Sequence, residues 1–259
     1  MEKGFGLLGC GLSHSLSPKI HQKLGQWLAD KMLCSPYSYV LFDEAEDQLD
    51  AFFGRRVFSG LNVTIPYKKK VLAYCSVLSE KAARLQSVNT ICVRPDGSLY
   101  GHNTDYYGFC YMSAYGGISF SGRLVLVLGS GGVSSVVSAA ARDLGAGEVI
   151  IVSRRGPVNY ENVVNYSQAD ILINTTPVGM YPRAEERLVD LDRFPCLSGV
   201  MDLIYNPAET LLLKDAAARG IPFVNGLSML VAQAKESAEY FTGCCIDESV
   251  IADIIRTIY

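Results

Sequence analysis

This 259-residue chain has little of what the more specialised protein classes depend on. It carries three histidines, and none of its eight cysteines stands in a C-x-x-C pair. Cysteines at 10, 34, 75, 92, 110, 196, 244 and 245 fit neither a zinc centre nor a disulfide framework, so no metal is expected. They read as buried, reduced thiols of a cytoplasmic protein, with the adjacent Cys244 and Cys245 packing at a helix end. No apolar run reaches the length of a membrane span. The first residues enter a strand pattern with no signal-peptide organisation, which also leads to the expectation of a cytoplasmic protein. Positive charge is not in excess: 23 Lys and Arg face 26 Asp and Glu. A formal net charge of -3 argues against a general nucleic-acid surface, though one local phosphate site remains compatible with it. Internal repeats and low-complexity segments are also missing.

What is present is a steady alternation of strand and helix patterns, in a length that suits two domains of about 100–150 residues. Phe5 to Leu8 reads as a strand, and Pro18 opens a helix with apolar residues at Ile20, Leu24 and Leu28. Strands at 38–42 and 60–65 follow, with a short helix ending at 49–53 between them. Residues 68–85 read as a helix broken near Ser76, and 88–101 as a hairpin around Pro95-Asp96-Gly97-Ser98. Asp105 to Tyr115 reads as a helix leaving this mixed-sheet unit, with Gly116-Gly117 as a flexible junction. From Arg123 a buried strand, a helix and strands at 149–152, 171–174, 200–204 and 222–225 make a doubly wound pattern. Two final helices, at 228–241 and 247–258, are expected to return to the first unit. The fold class is therefore α/β, with a mixed-sheet N-terminal domain (1–105), a Rossmann-like domain (106–227) and returning C-terminal helices (228–259).

Between the first strand of the second domain and its helix lies Gly129-Ser130-Gly131-Gly132-Val133-Ser134. Glycines there let backbone approach a pyrophosphate, and the helix N-terminus offers free amides. Ser134 is the small residue that permits close helix–strand packing. The next strand ends in Ser153-Arg154-Arg155, where an NAD site carries a carboxylate. Two guanidiniums and a hydroxyl suit a 2′-phosphate instead, so NADP(H) is the expected cofactor.

Ahead of this turn stand two polar motifs, Asn62-Val63-Thr64-Ile65-Pro66-Tyr67-Lys68 and Gly101-His102-Asn103-Thr104-Asp105. A lysine and a carboxylate meeting in a polar pocket move a proton on and off a hydroxyl. With a nicotinamide nucleotide they imply reversible oxidation of a polar alcohol. Lys69 and Lys70 read as solvated helix residues and serve as the contrast. Asp105 at a helix start also suits an N-cap, and the two roles are compatible. Ser15, Ser17, Thr64, Asn89 and Gln233 supply the donors and acceptors that a small hydroxylated anion needs. His14 and His21 lie near this segment and read as packing or backbone-bonding residues.

Taken together, these residues resemble the shikimate dehydrogenase family from Gly6 to at least Gln233. The matching pieces are His14-Ser15-Leu16-Ser17-Pro18, the 62–68 motif, Val88-Asn89-Thr90, Asn103-Thr104-Asp105 and the glycine turn. Further along come Asn174-Thr175-Thr176-Pro177-Val178-Gly179-Met180, Asp202-Leu203-Ile204-Tyr205-Asn206-Pro207, and Gly226, Met229, Leu230 and Gln233. The resemblance implies NADPH-dependent reduction of 3-dehydroshikimate to shikimate on the route to aromatic amino acids. It makes Lys68 and Asp105 the catalytic pair, Ser15 and Ser17 the carboxylate ligands, and Asn89 and Asp105 the partners of ring hydroxyls. Tyr205 lines the same pocket by that match. Thr175, Leu203, Gly226 and Met229 fall around the cofactor, and Glu80 on the nicotinamide side. A small-molecule substrate and a monomer or homodimer are expected, with no nucleic-acid or membrane partner. A dehydrogenase for quinate or an amino analogue, and a non-catalytic metabolite sensor, are the alternatives. One departure stands out: only Gly156 to Ala169 separates the arginine motif from the next strand, where the family places a helix and a further strand. The wall beside the adenosine phosphate is expected to be thin and mobile.

Overall fold

The structure, a computed structural model, describes residues 4–258. The chain divides into two compact units, one of residues 1–105 and 231–259 and one of residues 106–230.

The first unit is built on a six-stranded sheet in the order β2-β1-β3-β5-β6-β4. Its strands are β1 (Gly4–Gly9), β2 (Tyr39–Asp43), β3 (Phe58–Val63), β4 (Val77–Leu78), β5 (Thr90–Val93) and β6 (Leu99–His102). Only β5 runs against its neighbours, because a tight turn at Asp96-Gly97 joins it to β6. Helix α1 (Ser17–Asp30) follows β1, α2 (Leu49–Arg55) follows β2, and α3 (Glu80–Leu85) follows β4. Pro18 sits in the first turn of α1, where its missing N–H costs nothing. Ile20, Leu24 and Leu28 recur at the helical period and are fully buried, each worth about 1.5–3 kcal/mol. Under α2 a core of Phe52, Phe58, Leu61, Tyr67 and Ile91 closes the other region of the sheet.

Residues 68–85 do not form one broken helix. Lys70–Tyr74 make a 3-10 turn, and Val77–Leu78 then pair with Tyr100 and Gly101 of β6. Ser79 caps the helix that follows by accepting from the Ala82 amide at 3.1 Å.

The second unit carries a five-stranded parallel sheet in the order β11-β10-β9-β7-β8. Helix α4 (Asp105–Tyr115) leads into β7 (Leu124–Leu128), α5 (Gly132–Asp143) and β8 (Glu148–Val152). Then come β9 (Ile171–Asn174), β10 (Gly199–Asp202), α6 (Leu211–Ala218) and β11 (Phe223–Asn225). Strand β7 is buried almost throughout, as a strand with helices on both faces must be. Gly116-Gly117 is a helix stop and not a junction between units: the Gly116 and Gly117 amides close α4 on Met112 and Ala114. The units part between Asp105 and Tyr106. Helix α7 (Leu227–Thr242) carries the chain back into the first unit, and α8 (Ser249–Thr257) ends it.

The thiols differ from expectation. All eight are free, but none is fully buried, and Cys10, Cys196 and Cys245 are exposed. Cys244 and Cys245 lie in the turn beyond α7 and not within a helix end.

His21, on α1, is a packing residue. It is completely buried, stacks on Tyr39 with ring centroids 3.9 Å apart, and shares a 3.0 Å hydrogen bond with the Tyr37 hydroxyl. Burial holds its imidazole neutral, lowering its pKa to about 3. The unfolded chain takes up a proton there near pH 6.5, and the folded chain does not until about 3, so stability present above 6.5 is lost as the pH falls. At about 1.4 kcal/mol per pH unit, a drop from pH 7 to 5 removes about 2 kcal/mol through this one group. His21→Phe is expected to be less stable at pH 7 but to lose less of its stability on going to pH 5. Urea melts at both pH values check this; equal losses in the two proteins would contradict it.

Candidate active site

The C-terminal ends of β1 and β3 lie side by side, with Leu8 opposite Val63. The chain leaves both strands into polar segments: Ser15 and Ser17 after β1, Thr64 and Lys68 after β3. Strand β5 runs the other way, so Asn89, just before it, comes to the same edge. Asp105 follows β6 and opens α4. Topology alone thus gathers these groups at the carboxyl edge of one sheet, where α/β folds bind their ligands.

Backbone bonds set the register. The Val88 amide donates to the Lys68 carbonyl at 2.8 Å, and the Asn89 amide to the His102 carbonyl at 3.1 Å. Lys68 Nζ donates to Asp105 Oδ2 at 2.7 Å, with side-chain exposures of 19% and 8%. Asn89 Nδ2 donates to the other oxygen, Oδ1, at 3.0 Å. The orientation of that amide is dictated, because the Thr104 backbone N–H donates to Asn89 Oδ1 at 2.7 Å. A backbone amide is only a donor, so it leaves Asn89 its NH2 for the carboxylate. Gln233, on α7, brings its Oε1 within 3.5 Å of both Asn89 Nδ2 and Thr104 Oγ1.

Beneath lies a floor of buried hydroxyls and amides. Asn62 Nδ2 donates to Thr90 Oγ1 at 3.1 Å and to Ser237 Oγ at 2.7 Å, while Tyr39 donates to Asn62 Oδ1 at 2.8 Å. Thr90 Oγ1 donates to Asn89 Oδ1 at 3.1 Å. Such a network is favourable only when every member is satisfied, and it then holds one arrangement.

Around the pair, Ser17 is buried and Ser15 half-buried, with the Ser17 amide donating to Ser15 Oγ at 3.2 Å. The Thr64 amide bonds the Leu8 carbonyl at 2.9 Å, keeping its side chain beside Gly9. Lys69 is exposed, and Lys70 is ion-paired with Glu46; both lie at the 3-10 turn. His14 and Glu80 are exposed. Tyr205, by contrast, belongs to the second unit, half-buried in the turn after β10.

In the second unit, β7 runs into Gly129, whose φ of 110° lies in the left-handed region that favours glycine. A Cβ there would also stand 2.7 Å from Thr175 Oγ1, which itself donates to the Leu128 carbonyl at 2.7 Å. Ser130, Gly131 and Gly132 are exposed, Val133 is half-buried, and no side chain caps α5. The first amides of α5 are therefore open to an anion. Buried Ser134 ties the turn down by donating to the Gly129 carbonyl at 2.7 Å. At the end of β8, Ser153 is half-buried, while Arg154 and Arg155 are exposed. Gly226 is needed for close approach: a Cβ would lie 2.0 Å from the Leu203 carbonyl oxygen. Met229 is buried in the core against which Leu203 packs. These glycine, hydroxyl and guanidinium groups fit a phosphorylated dinucleotide.

The short 156–169 segment leaves β8 as the sheet edge. It is not a loose wall. Asn159 Oδ1 accepts from the Glu161 and Asn162 amides at 2.9 and 3.2 Å, and Asn162 Nδ2 donates to the Pro157 carbonyl at 3.0 Å. Val158 and Tyr160 pack on the core.

Residues 7–91 match the model of the shikimate dehydrogenase substrate binding domain. Over 265 aligned residues the chain is 36% identical to a shikimate dehydrogenase (NADP(+)) of Clostridium beijerinckii, covering 95% of this chain and 94% of that one. The chain belongs to the shikimate dehydrogenase family. Among solved members, the chorismate mutase/shikimate 5-dehydrogenase fusion protein of Clostridium acetobutylicum superposes with a TM-score of 0.91 at 35% identity, covering 100% and 98% of the two chains. The shikimate 5-dehydrogenase of Thermus thermophilus, in complex with NADP(H) and shikimate, gives 0.85 at 31% identity, covering 98% and 99%.

Against this family background, the floor residues Asn62, Thr90, Thr104 and Ser237 are what motif reading passed over as site components. The signal for Ser237 was a serine one helical turn after Gln233, inside a helix, where serine either faces solvent or bonds the carbonyl of the preceding turn.

Proposed function

We propose that this protein catalyses the reversible reduction of 3-dehydroshikimate to shikimate with NADPH, on the route to aromatic amino acids. The observation that carries the reading is the Lys68–Asp105 pair, closed on its second carboxylate oxygen by Asn89, in a chain of this family. When bound, NADPH supplies the hydride. Every other task falls to groups of the chain itself.

Ser15 and Ser17, at the entrance of α1, hold the substrate carboxylate by hydroxyl donation. Asn89 and Asp105 orient the ring hydroxyls, and Thr64 and Gln233 complete the polar lining. As the carbonyl carbon becomes a carbinol, its oxygen gains negative charge. The Lys68 ammonium stabilises that charge and gives the oxygen its proton. In the oxidising direction the neutral amine takes the hydroxyl proton back. Asp105 keeps the ammonium in place, and Asn89 keeps Asp105 from turning away.

The open amides at 131–133 and Ser130 hold the pyrophosphate, with Ser153, Arg154 and Arg155 on the 2′-phosphate. Thr175 closes the phosphate turn, and Leu203, Gly226 and Met229 receive the nicotinamide. Among the described residues, no helix is long and apolar enough to cross a membrane.

Incubating pure protein with shikimate and NADP is expected to produce reduced nicotinamide, read by its absorbance. Quinate carries an extra hydroxyl on the carbon bearing the carboxylate, and beside Ser15 and Ser17 that group needs both room and a partner of its own. Shikimate is expected to exceed quinate by at least about tenfold in specificity constant, the worth of one buried unpaired hydroxyl. Equal constants would make the enzyme dual-specific, and a quinate preference would overturn the substrate assignment.

Replacing Arg154 and Arg155 together by alanine is expected to weaken NADP at least about tenfold while leaving NAD nearly unchanged, since only NADP carries the 2′-phosphate. Titrations of the variant with each cofactor decide it; an equal loss for both would give these arginines a role in folding instead.

A further inference from the structure

Helices α1 and α7 both stop in defined turns, and each turn leads directly to a cysteine. Past the end of α1, the Met32 amide bonds the Ala29 carbonyl and the Leu33 amide the Leu28 carbonyl, both at 2.9 Å. Met32 itself stands in the left-handed region at φ 56°. This paired closure is a common helix stop, and it sends the chain into Leu33 and Cys34. Past Thr242, Gly243 takes φ 71° and its amide bonds the Glu239 carbonyl at 2.8 Å, while the Cys244 amide bonds Thr242 Oγ1 at 3.2 Å. The Phe241 ring, stacked on Phe5 at 4.7 Å and 6.0 Å from His21, seats the end of α7 beside α1.

The two stops therefore meet. Cys244 Sγ donates to the Leu33 carbonyl at 3.6 Å, one peptide unit from Cys34. The Cys34 thiol in turn hydrogen-bonds Cys244. Burial first, and then the neighbouring Cys244 sulfur, push the Cys34 thiol up from its ordinary value, so Cys34 is the partner that keeps its proton. Both cysteines are half-buried, which leaves solvent some access to them. The dehydrogenase chemistry uses neither.

We propose that Cys34 and Cys244 are a redox-active dithiol whose oxidant is a small disulfide of the glutathione class. The Cys244 thiolate attacks one sulfur of glutathione disulfide, forming a mixed disulfide and releasing one glutathione thiolate. Cys34 then gives up its proton and attacks Cys244 Sγ, and the second glutathione thiolate leaves. Two cysteine thiols are oxidised to one disulfide, one glutathione disulfide is reduced to two thiols, and the two protons given up pass through solvent to them. The bridge ties the end of α1 to the end of α7 and clamps the helix that returns to the first unit.

The test incubates the purified full chain with glutathione disulfide, blocks the remaining thiols, and maps tryptic peptides without reduction. Residues 32–55 hold Cys34 as their one cysteine, and residues 236–256 hold Cys244 and Cys245. These two peptides are expected to appear joined, less two hydrogens, in most molecules, and to separate again with dithiothreitol. Cys244→Ser is expected to abolish the joined pair, while Cys245→Ser leaves it. The bridged wild type is also expected to melt at least about 3 °C above its reduced form, because the cross-link restricts the unfolded chain. The same treatment is expected to leave the melting temperature of Cys244→Ser unchanged. Peptides that stay apart, a glutathione adduct that persists on Cys34 or Cys244, or a bridge between two copies of the chain would overturn the inference. So would a link kept in Cys244→Ser but lost in Cys245→Ser, or a bridged wild type that melts no higher than the reduced one.

Discussion

One hydrogen bond, from the Thr104 backbone amide to Asn89 Oδ1, sets the direction of everything polar around it. Because the donor belongs to the backbone, Asn89 has no freedom to flip, and its NH2 must face Asp105. Asp105 then meets donors on both oxygens, one of them the ammonium of Lys68. A half-buried ion pair of this kind adds little to stability on its own account, since desolvation of both ions offsets their attraction. Its placement at a strand-end gathering of polar groups gives it a chemical role instead.

The same economy of means appears in the second unit. A positive φ at Gly129, an α5 start without a side-chain cap and a serine tying the turn from below leave the phosphate-facing surface made of backbone amides. Selectivity is then left to the few side chains at the end of β8. There the shortened segment after Arg155 matters, because among the described residues no further strand lies beyond β8 and the arginines stand at the sheet edge. The asparagine-bonded turn at 159–162 gives that edge a defined shape with few residues.

Much of this was legible in the sequence because the deciding residues come in contiguous motifs whose chemistry is local. The glycine turn, the serine–arginine end of β8 and the lysine and aspartate motifs each carry their meaning within a few residues. Strand and helix order followed from apolar periodicity, which for Ile20, Leu24 and Leu28 marks the buried face of α1 directly. What escaped depends on partners distant in the chain. Val77–Leu78 is a strand only because β6 offers an open edge, and a two-residue apolar run cannot announce that. Ser237 owes its role to Asn62, Thr90 and Thr104, brought to it by sheet pairing and by the return of α7. The thiols were expected in the core by residue type, yet their exposure is set by where the turns fall.

The central claim is that Lys68 and Asp105 act as one catalytic unit. A double-mutant cycle on turnover addresses it directly, with Lys68→Ala, Asp105→Asn, the double variant, and Lys69→Ala as the neighbouring control. Each single change in the pair is expected to lower kcat by about 100- to 10,000-fold, and Lys69→Ala to leave it nearly unchanged. The double variant is expected to fall within about threefold of the worse single variant, since groups that act as a unit are lost together. Losses that multiply in the double variant, or a Lys69→Ala defect equal to that of Lys68→Ala, would contradict the account.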